Sequence, residues 1–167
     1  MNQVNRKVRY QLYPSKKQSG RMTKMLRLHQ RLYNACLEQR IHAYKDRSIS
    51  LNYYDQAKEL TALRKEDTQY REMNAQSEQV TLKRLELAYK QFFARIKKGE
   101  KAGFPRFKSF DRYKGWGYAS HGDGWRFSSN KDKINGALRL SGVGSLQARG
   151  RARKDDFTID RFIESSK

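Results

Sequence analysis

The placement of glycine and proline constrains this chain more than any other feature of its sequence. Ten of the eleven glycines lie after residue 98, and the two prolines are Pro14 and Pro105. Between these prolines the stretch from 15 to 98 has a single breaker, Gly20, which costs roughly 1 kcal/mol relative to Ala in a helix. Long helices are therefore expected in the middle and short, turn-punctuated segments after it. The chain has 167 residues, one domain or two small ones, enough to bury roughly 70% of the surface its unfolded form exposes.

Within that frame, residues 4–13 alternate. Val8, Tyr10 and Leu12 fall on one side and Lys7, Arg9 and Gln11 on the other, the period of a half-buried strand that Pro14 ends. Ser15 with Gln18 forms a capping-box pattern ahead of Met22, Leu26, Tyr33, Leu37, Ile41 and Tyr44, which predicts one helix from 16 to about 45. Asn52 with Asp55 predicts a second cap, and a helix through Ala57, Leu60 and Leu63. A shorter piece follows around 68–73. Ser77 is expected to cap a fourth helix, with the stripe Leu82, Leu85, Tyr89, Phe92, Phe93 and Ile96, ending before Gly99. Four helices on short loops imply an antiparallel bundle. Beyond it, residues 116–120, 125–127, 137–140, 145–149 and 157–162 read as strands, with Gly122-Asp123-Gly124 and Gly142-Val143-Gly144 as hairpin turns. The expected class is α+β: a small β-barrel made of residues 1–14 and 100–167, interrupted by a helical domain over 15–99. The N-terminal strand must return to that barrel.

Charge points to the partner. Lys and Arg number 37 against 17 Asp and Glu, a formal charge of +20, with mean hydropathy −1.04. Eighteen Phe and Tyr and two Trp are too many for a disordered basic tail, so this is a folded basic protein whose natural partner is a polyanion. Residues 1–50 carry 12 basic and 2 acidic side chains, 51–100 carry 10 and 8, and 101–167 carry 15 and 7, so the ends are the electropositive parts. Arg6, Lys7, Arg9, Lys16, Lys17, Arg21, Lys24, Arg27 and Arg31 form one dense run; Arg149, Arg151, Arg153 and Lys154 form another. Both suit phosphate neutralisation. Lys108, Arg112 and Lys114 interleave with Phe107, Phe110, Tyr113 and Trp116, a mixture that tracks a backbone while bases stack on rings. Phe104 and Phe107 are expected in the core, flanking the proline. Tyr113, Trp116, Tyr118 and Trp125 are candidates for either stacking or packing.

Other chemistry is not expected. Cys36 stands alone, which excludes an internal disulfide and a multi-Cys zinc site. His29 lies seven residues from Cys36, roughly 10 Å along a helix and too far for a thiolate–imidazole pair; Cys36 is read as a core residue and His29 as a surface one. His29 and His42 fall on separate faces. Glu66-Asp67 and Asp155-Asp156 read as solvated surface rather than a Mg²⁺ site, and no Walker-type loop is present. No run approaches the ~18 apolar residues of a membrane span, and the N-terminus lacks signal-peptide character, so a cytoplasmic, nucleoid-associated location is expected. No cofactor is implied.

The run Lys101-Ala102-Gly103-Phe104-Pro105-Arg106-Phe107-Lys108 resembles the GFPRFK signature of the TnpB (OrfB-type) transposon-encoded nucleases, relatives of type V CRISPR effectors. Tyr10-Gln11-Leu12-Tyr13-Pro14, Leu32-Tyr33-Asn34, Leu85-Glu86-Leu87-Ala88-Tyr89-Lys90-Gln91-Phe92-Phe93, and Leu138-Arg139-Leu140 before Gly142-Val143-Gly144 agree in order, so the resemblance spans nearly the whole chain. It implies a wedge domain, a barrel of the oligonucleotide-binding kind, interrupted by a helical recognition domain. The partners it implies are a guide RNA and double-stranded target DNA, with a short DNA motif read beside the target. Tyr53 and Gln79 match motif-reading positions, with Ser120 and His121 in a more divergent loop. Gln bonds bidentately to adenine and Tyr contacts a thymine methyl or a phosphate, which makes the assignment chemically sensible. As residues alone, Tyr53 equally suits helix-end packing and Gln79 a solvated surface.

The family's RuvC-like domain, with three metal-binding carboxylates, and its CxxC zinc segment have no counterpart here. Ile159-Asp160-Arg161-Phe162 lacks the glycine that follows the family's first catalytic Asp, so Asp160 is not expected to be a nuclease residue. The expectation is a chain that binds without cutting: a fragment, a decayed element product or a shortened protein. The alternative is a subunit or regulator that docks on a separately encoded nuclease-domain chain.

Overall fold

The computed structural model describes residues 8–132 and 134–150. The chain divides into two compact units, Lys24–Gly117 and, discontinuously, Met1–Thr23 with Tyr118–Lys167.

The discontinuous unit holds a four-stranded antiparallel sheet in the order β1-β4-β3-β2, with β1 (Gln11–Tyr13), β2 (Trp125–Ser129), β3 (Asn135–Leu140) and β4 (Gly144–Arg149). The N-terminal strand does return: Gln11 pairs with Arg149, Leu12 with Ala148 and Tyr13 with Gln147. Among the described residues this sheet is open, with β1 and β2 as its edges. β1 is shorter than the alternation predicts, and the expected strand at 157–162 lies outside the described residues, as do Arg6, Lys7, Arg151, Arg153, Lys154, Asp155, Asp156 and Asp160.

Alternation splits the sheet into two faces. Leu140, Leu146 and Ala148 are buried, with Trp125, Phe127 and Leu138 half-buried on the same side. The turn Ser141-Gly142-Val143 joins β3 to β4. Gly142 and Gly144 adopt φ of 75° and 105°, which a side chain rarely tolerates, and Val143 between them is buried. Gly136 permits close pairing of β2 and β3, because a Cβ there would collide with the Ser128 carbonyl oxygen and the Phe127 ring.

In the other unit, helix α1 (Lys16–Arg47), whose first turns group with the sheet, is followed by α2 (Tyr53–Glu66), α3 (Thr68–Glu72) and α4 (Ala75–Lys97). The Asn52 cap is as expected. Its side chain accepts from the Tyr54 and Asp55 amides while Asp55 accepts from the Asn52 amide. The fourth cap differs: Asn74, not Ser77, accepts from the Ser77 amide and opens α4. Met25, Leu28, Leu32, Tyr33, Leu37, Leu60, Met73, Leu82 and Leu85 form one core, with Cys36 among them. Burial pushes the Cys36 thiol up to about 12, so it is an inert apolar filler.

Two further expectations are corrected. Residues 116–120 form no strand: the Gly117 carbonyl accepts from the Ser77 hydroxyl at 2.7 Å, and the Gly115 carbonyl accepts from Arg84, so α4 side chains take the bonds a ladder would need. His29 is fully buried rather than on the surface. Ser77 gives its one proton to Gly117, so its oxygen accepts from His29 Nε2–H at 3.2 Å, and Nδ1 accepts from the Thr81 hydroxyl at 2.9 Å. Desolvation, with Arg84 nearby, lowers its pKa to about 4 and keeps the ring neutral. The Trp116 ring lies parallel to it, centroids 6.1 Å apart.

Candidate nucleic-acid interface

Helix α1 has no acidic residue in its first turn and none before Glu38, so its N-terminal half is purely cationic. Lys16, Lys17 and Arg21, in the sheet unit, are exposed, as is Arg9. Lys24, Arg27 and Arg31, in the helical unit, are exposed and recur at intervals that hold them to one side of the helix. Lys24 pairs with Glu72 at 2.5 Å, and the Arg27 guanidinium sits 4.6 Å from the centre of the Phe110 ring. A surface pair of this kind is worth little and leaves the Lys24 charge available to a phosphate.

The expected motif readers of the helical unit meet. Tyr53, the first residue of α2, donates its hydroxyl to Gln79 Oε1 at 3.4 Å, and Lys83 Nζ lies 5.7 Å from the centre of the Tyr53 ring. Both residues are half-buried, and Lys83 is exposed. Ser120 and His121 are exposed in the sheet unit, where His121 stands edge-on to Trp125 at 5.0 Å. His121 Nε2 accepts from the Phe127 amide at 3.3 Å, so the ring proton resides on Nδ1.

The remaining aromatic candidates separate. Tyr113 is buried in the helical core, with its ring 6.0 Å from that of Tyr33 and its hydroxyl 3.5 Å from Thr81 Oγ1. Trp116, Tyr118 and Trp125 are half-buried. Phe104 and Phe107, expected in the core, are 45% and 54% exposed, while Pro105 between them is buried. Lys108 is half-buried, and Arg112 and Lys114 are exposed.

Sequence reasoning missed the polar face of the sheet. Arg126 stands directly opposite Arg139, and Arg149 lies on the same side, as do Gln11, Tyr13, Ser128, Ser145 and Gln147. No residue on that face of the four strands is acidic. The Arg149 guanidinium covers the exposed Tyr13 ring at 4.9 Å. The signal was the alternation in Arg126-Phe127 and Leu138-Arg139-Leu140, which sends each Arg away from the core.

Two comparisons bear on this surface. Residues 1–48 match a family model described as a helix-turn-helix domain, that of the OrfB proteins of IS605 elements. This N-terminal region is thus similar to that of IS605 OrfB transposases. The OrfB-type region points to a DNA-binding, transposase-associated function, and the cationic half of α1 lies inside it. Among its described residues this region holds β1 and one uninterrupted helix, and α1 carries its cationic run from Lys16 to Arg31. No curated protein matches the chain. Among the described residues no helix is long and apolar enough to cross a membrane, and no group of three or more His, Cys, Asp or Glu is placed to hold a metal ion.

Proposed function

We propose that the chain is the nucleic-acid-binding part of a transposase-associated, RNA-guided DNA endonuclease, holding a guide RNA and reading a short motif beside the double-stranded target without itself cutting. The observation that carries this is the match of residues 1–48 to a helix-turn-helix domain of transposase proteins, on a helix that carries exposed cations and no carboxylate of its own before Glu38. In this proposal the open sheet corresponds to an oligonucleotide-binding wedge, and Tyr53 and Gln79 read the motif from the helical unit. Gln79 supplies an amide edge for adenine and Tyr53 positions it through their mutual hydrogen bond.

The test is a salt titration of duplex DNA binding by the purified chain, together with sequencing of any RNA that accompanies it from cells. Affinity should fall log-linearly with salt, each phosphate contact contributing a slope of about −0.9, and a discrete structured RNA should be enriched. Gln79→Ala should weaken binding to the preferred duplex while leaving other duplexes unchanged. Affinity that is the same at low and high salt overturns the proposal.

A further inference from the structure

We infer that the groove between helix α4 and the extended segment around Pro105 is a pocket for an unpaired base of single-stranded DNA. It is a cavity of about 290 Å³, near the lower end of the usual range for small-ligand sites. Its aromatic wall is Phe92 and Phe104, rings edge to face at 5.3 Å, with Tyr89 edge to face with Phe104 at 5.6 Å. Its polar wall is Arg95, Arg106 and Lys108, and no carboxylate lines it.

Three properties select the occupant. The half-exposed Phe104 ring in the wall suits a flat apolar body, and the cations beside it suit an anion, which together describe a nucleotide rather than an aliphatic or neutral ligand. A base inside a duplex hides both its faces in the stack, so only an unpaired one reaches the ring. The wall is also preorganised, because Asn34 of α1 bonds both backbone groups of Lys108 and the buried Pro105 has a fixed φ. Asn34, which holds this wall in place, belongs to the segment that matches a helix-turn-helix domain of transposase proteins, and this favours DNA over RNA as the strand. This inference rests on the proposed DNA-binding function and adds the state of the DNA it captures.

The test uses the full chain and two labelled probes of equal length, a short oligothymidylate and an abasic deoxyribose-phosphate strand. The wild type should bind the thymidylate at least about tenfold more tightly than the abasic strand, the scale of stacking one base on an aromatic ring. Phe104→Ala should lose that difference and keep the abasic affinity, and Phe104→Trp should restore it. Circular dichroism and the urea midpoint check that the half-exposed site folds in both variants. Equal binding of the two probes by the wild type, or a thymidylate affinity untouched in Phe104→Ala, overturns the pocket. An oligouridylate bound more tightly and with the same Phe104 dependence overturns its assignment to DNA. If these fail while salt-sensitive duplex binding persists, the proposed function stands without the pocket; if the wild type binds no nucleic acid, both fall.

Discussion

Asn34 holds Lys108 by both of its backbone groups, accepting from the amide at 2.8 Å and donating to the carbonyl at 2.9 Å. Gln30, one helical turn earlier, donates to the same carbonyl at 2.7 Å. A side-chain amide carries a donor and an acceptor side by side, matching a peptide's own two groups, so an extended segment outside the sheet is bonded by a helix instead. This links two of the short motifs in the sequence, Leu32-Tyr33-Asn34 and the run ending in Phe107-Lys108, as two halves of one contact.

Asn34→Ala should therefore destabilise the protein by about 1–3 kcal/mol, the cost of leaving the partly buried Lys108 amide without a partner while its carbonyl keeps Gln30. Asn34→Asp should recover only part of this, because a carboxylate accepts from the Lys108 amide but opposes its carbonyl. Urea midpoints of the three proteins check the ranking, and an unchanged midpoint for Asn34→Ala would show that the segment is held without Asn34, by Gln30 and the buried Pro105.

A second prediction concerns Arg40, a buried cation on the core side of α1. Its Nε donates to Gln56 Oε1 at 2.8 Å and its Nη2 to Glu86 Oε2 at 2.8 Å, and the same Glu86 oxygen accepts from the Tyr53 amide at 3.1 Å. The guanidinium also lies 5.0 Å from the centre of the Tyr89 ring. Arg40→Leu should cost roughly 3–5 kcal/mol by stranding a half-buried carboxylate. Arg40→Leu combined with Glu86→Leu should cost less than the single change, a non-additivity that a double-mutant cycle reads directly.

The contrast between Arg40 and Asn52 shows what the sequence could and could not convey. The Asn52–Asp55 cap closes within three residues, so its pattern was legible, as were all four helices and the strands read at 125–127, 137–140 and 145–149, which extend to 125–129, 135–140 and 144–149. Arg40 sits at a position where only the partners Gln56 and Glu86, brought from two other helices, make burial of a charge tolerable. His29 follows the same logic, since Ser77 and Thr81 lie about fifty residues away. Ser77 carried a legible capping signal that its tertiary bonds to Gly117 and His29 overrode, leaving Asn74 to cap. At Phe104 and Phe107 hydrophobicity alone suggested burial. The bond to Asn34 and the burial of Pro105 fix the segment without hiding either ring, which leaves both for the surface.

Glu78 supplies a prediction about pH. It is fully buried, with Oε2 accepting from Arg64 Nη1 at 2.5 Å and Oε1 without a hydrogen-bond partner among the described residues. Desolvation raises its pKa from 4.5 to about 7 against the opposing pull of Arg64. The native state therefore holds more protons than the unfolded chain between those values, and this group's contribution falls as pH rises through them. His29, lowered from 6.5 to about 4, has the opposite sign: its contribution grows as pH rises between about 4 and 6.5. The two should offset each other between about pH 5 and 6.5, leaving wild-type stability flat there. Glu78→Gln should unmask a rise with pH in that window and His29→Gln a fall. Thermal midpoints across the range check the signs, and parallel profiles for the three proteins would refute the opposition.

The last prediction follows from Arg126 and Arg139, which stand opposite each other on β2 and β3 with no acidic residue on their face of the sheet. Like charges in directly opposed cross-strand positions repel, so the pair lowers stability where salt is too dilute to screen it. Replacing one, Arg139→Thr, keeps the strand propensity and removes the repulsion. Its urea midpoint should exceed the wild type's at low ionic strength and converge with it at high salt. The same change should weaken duplex or single-strand binding and reduce the magnitude of the salt slope by about one phosphate contact, or ~0.9. A gain in stability coupled to a loss of binding identifies repulsion retained for a polyanion. If Arg139→Thr binds with the wild-type affinity and slope, the polar face of the sheet takes no part in the interface, and phosphate neutralisation falls to helix α1.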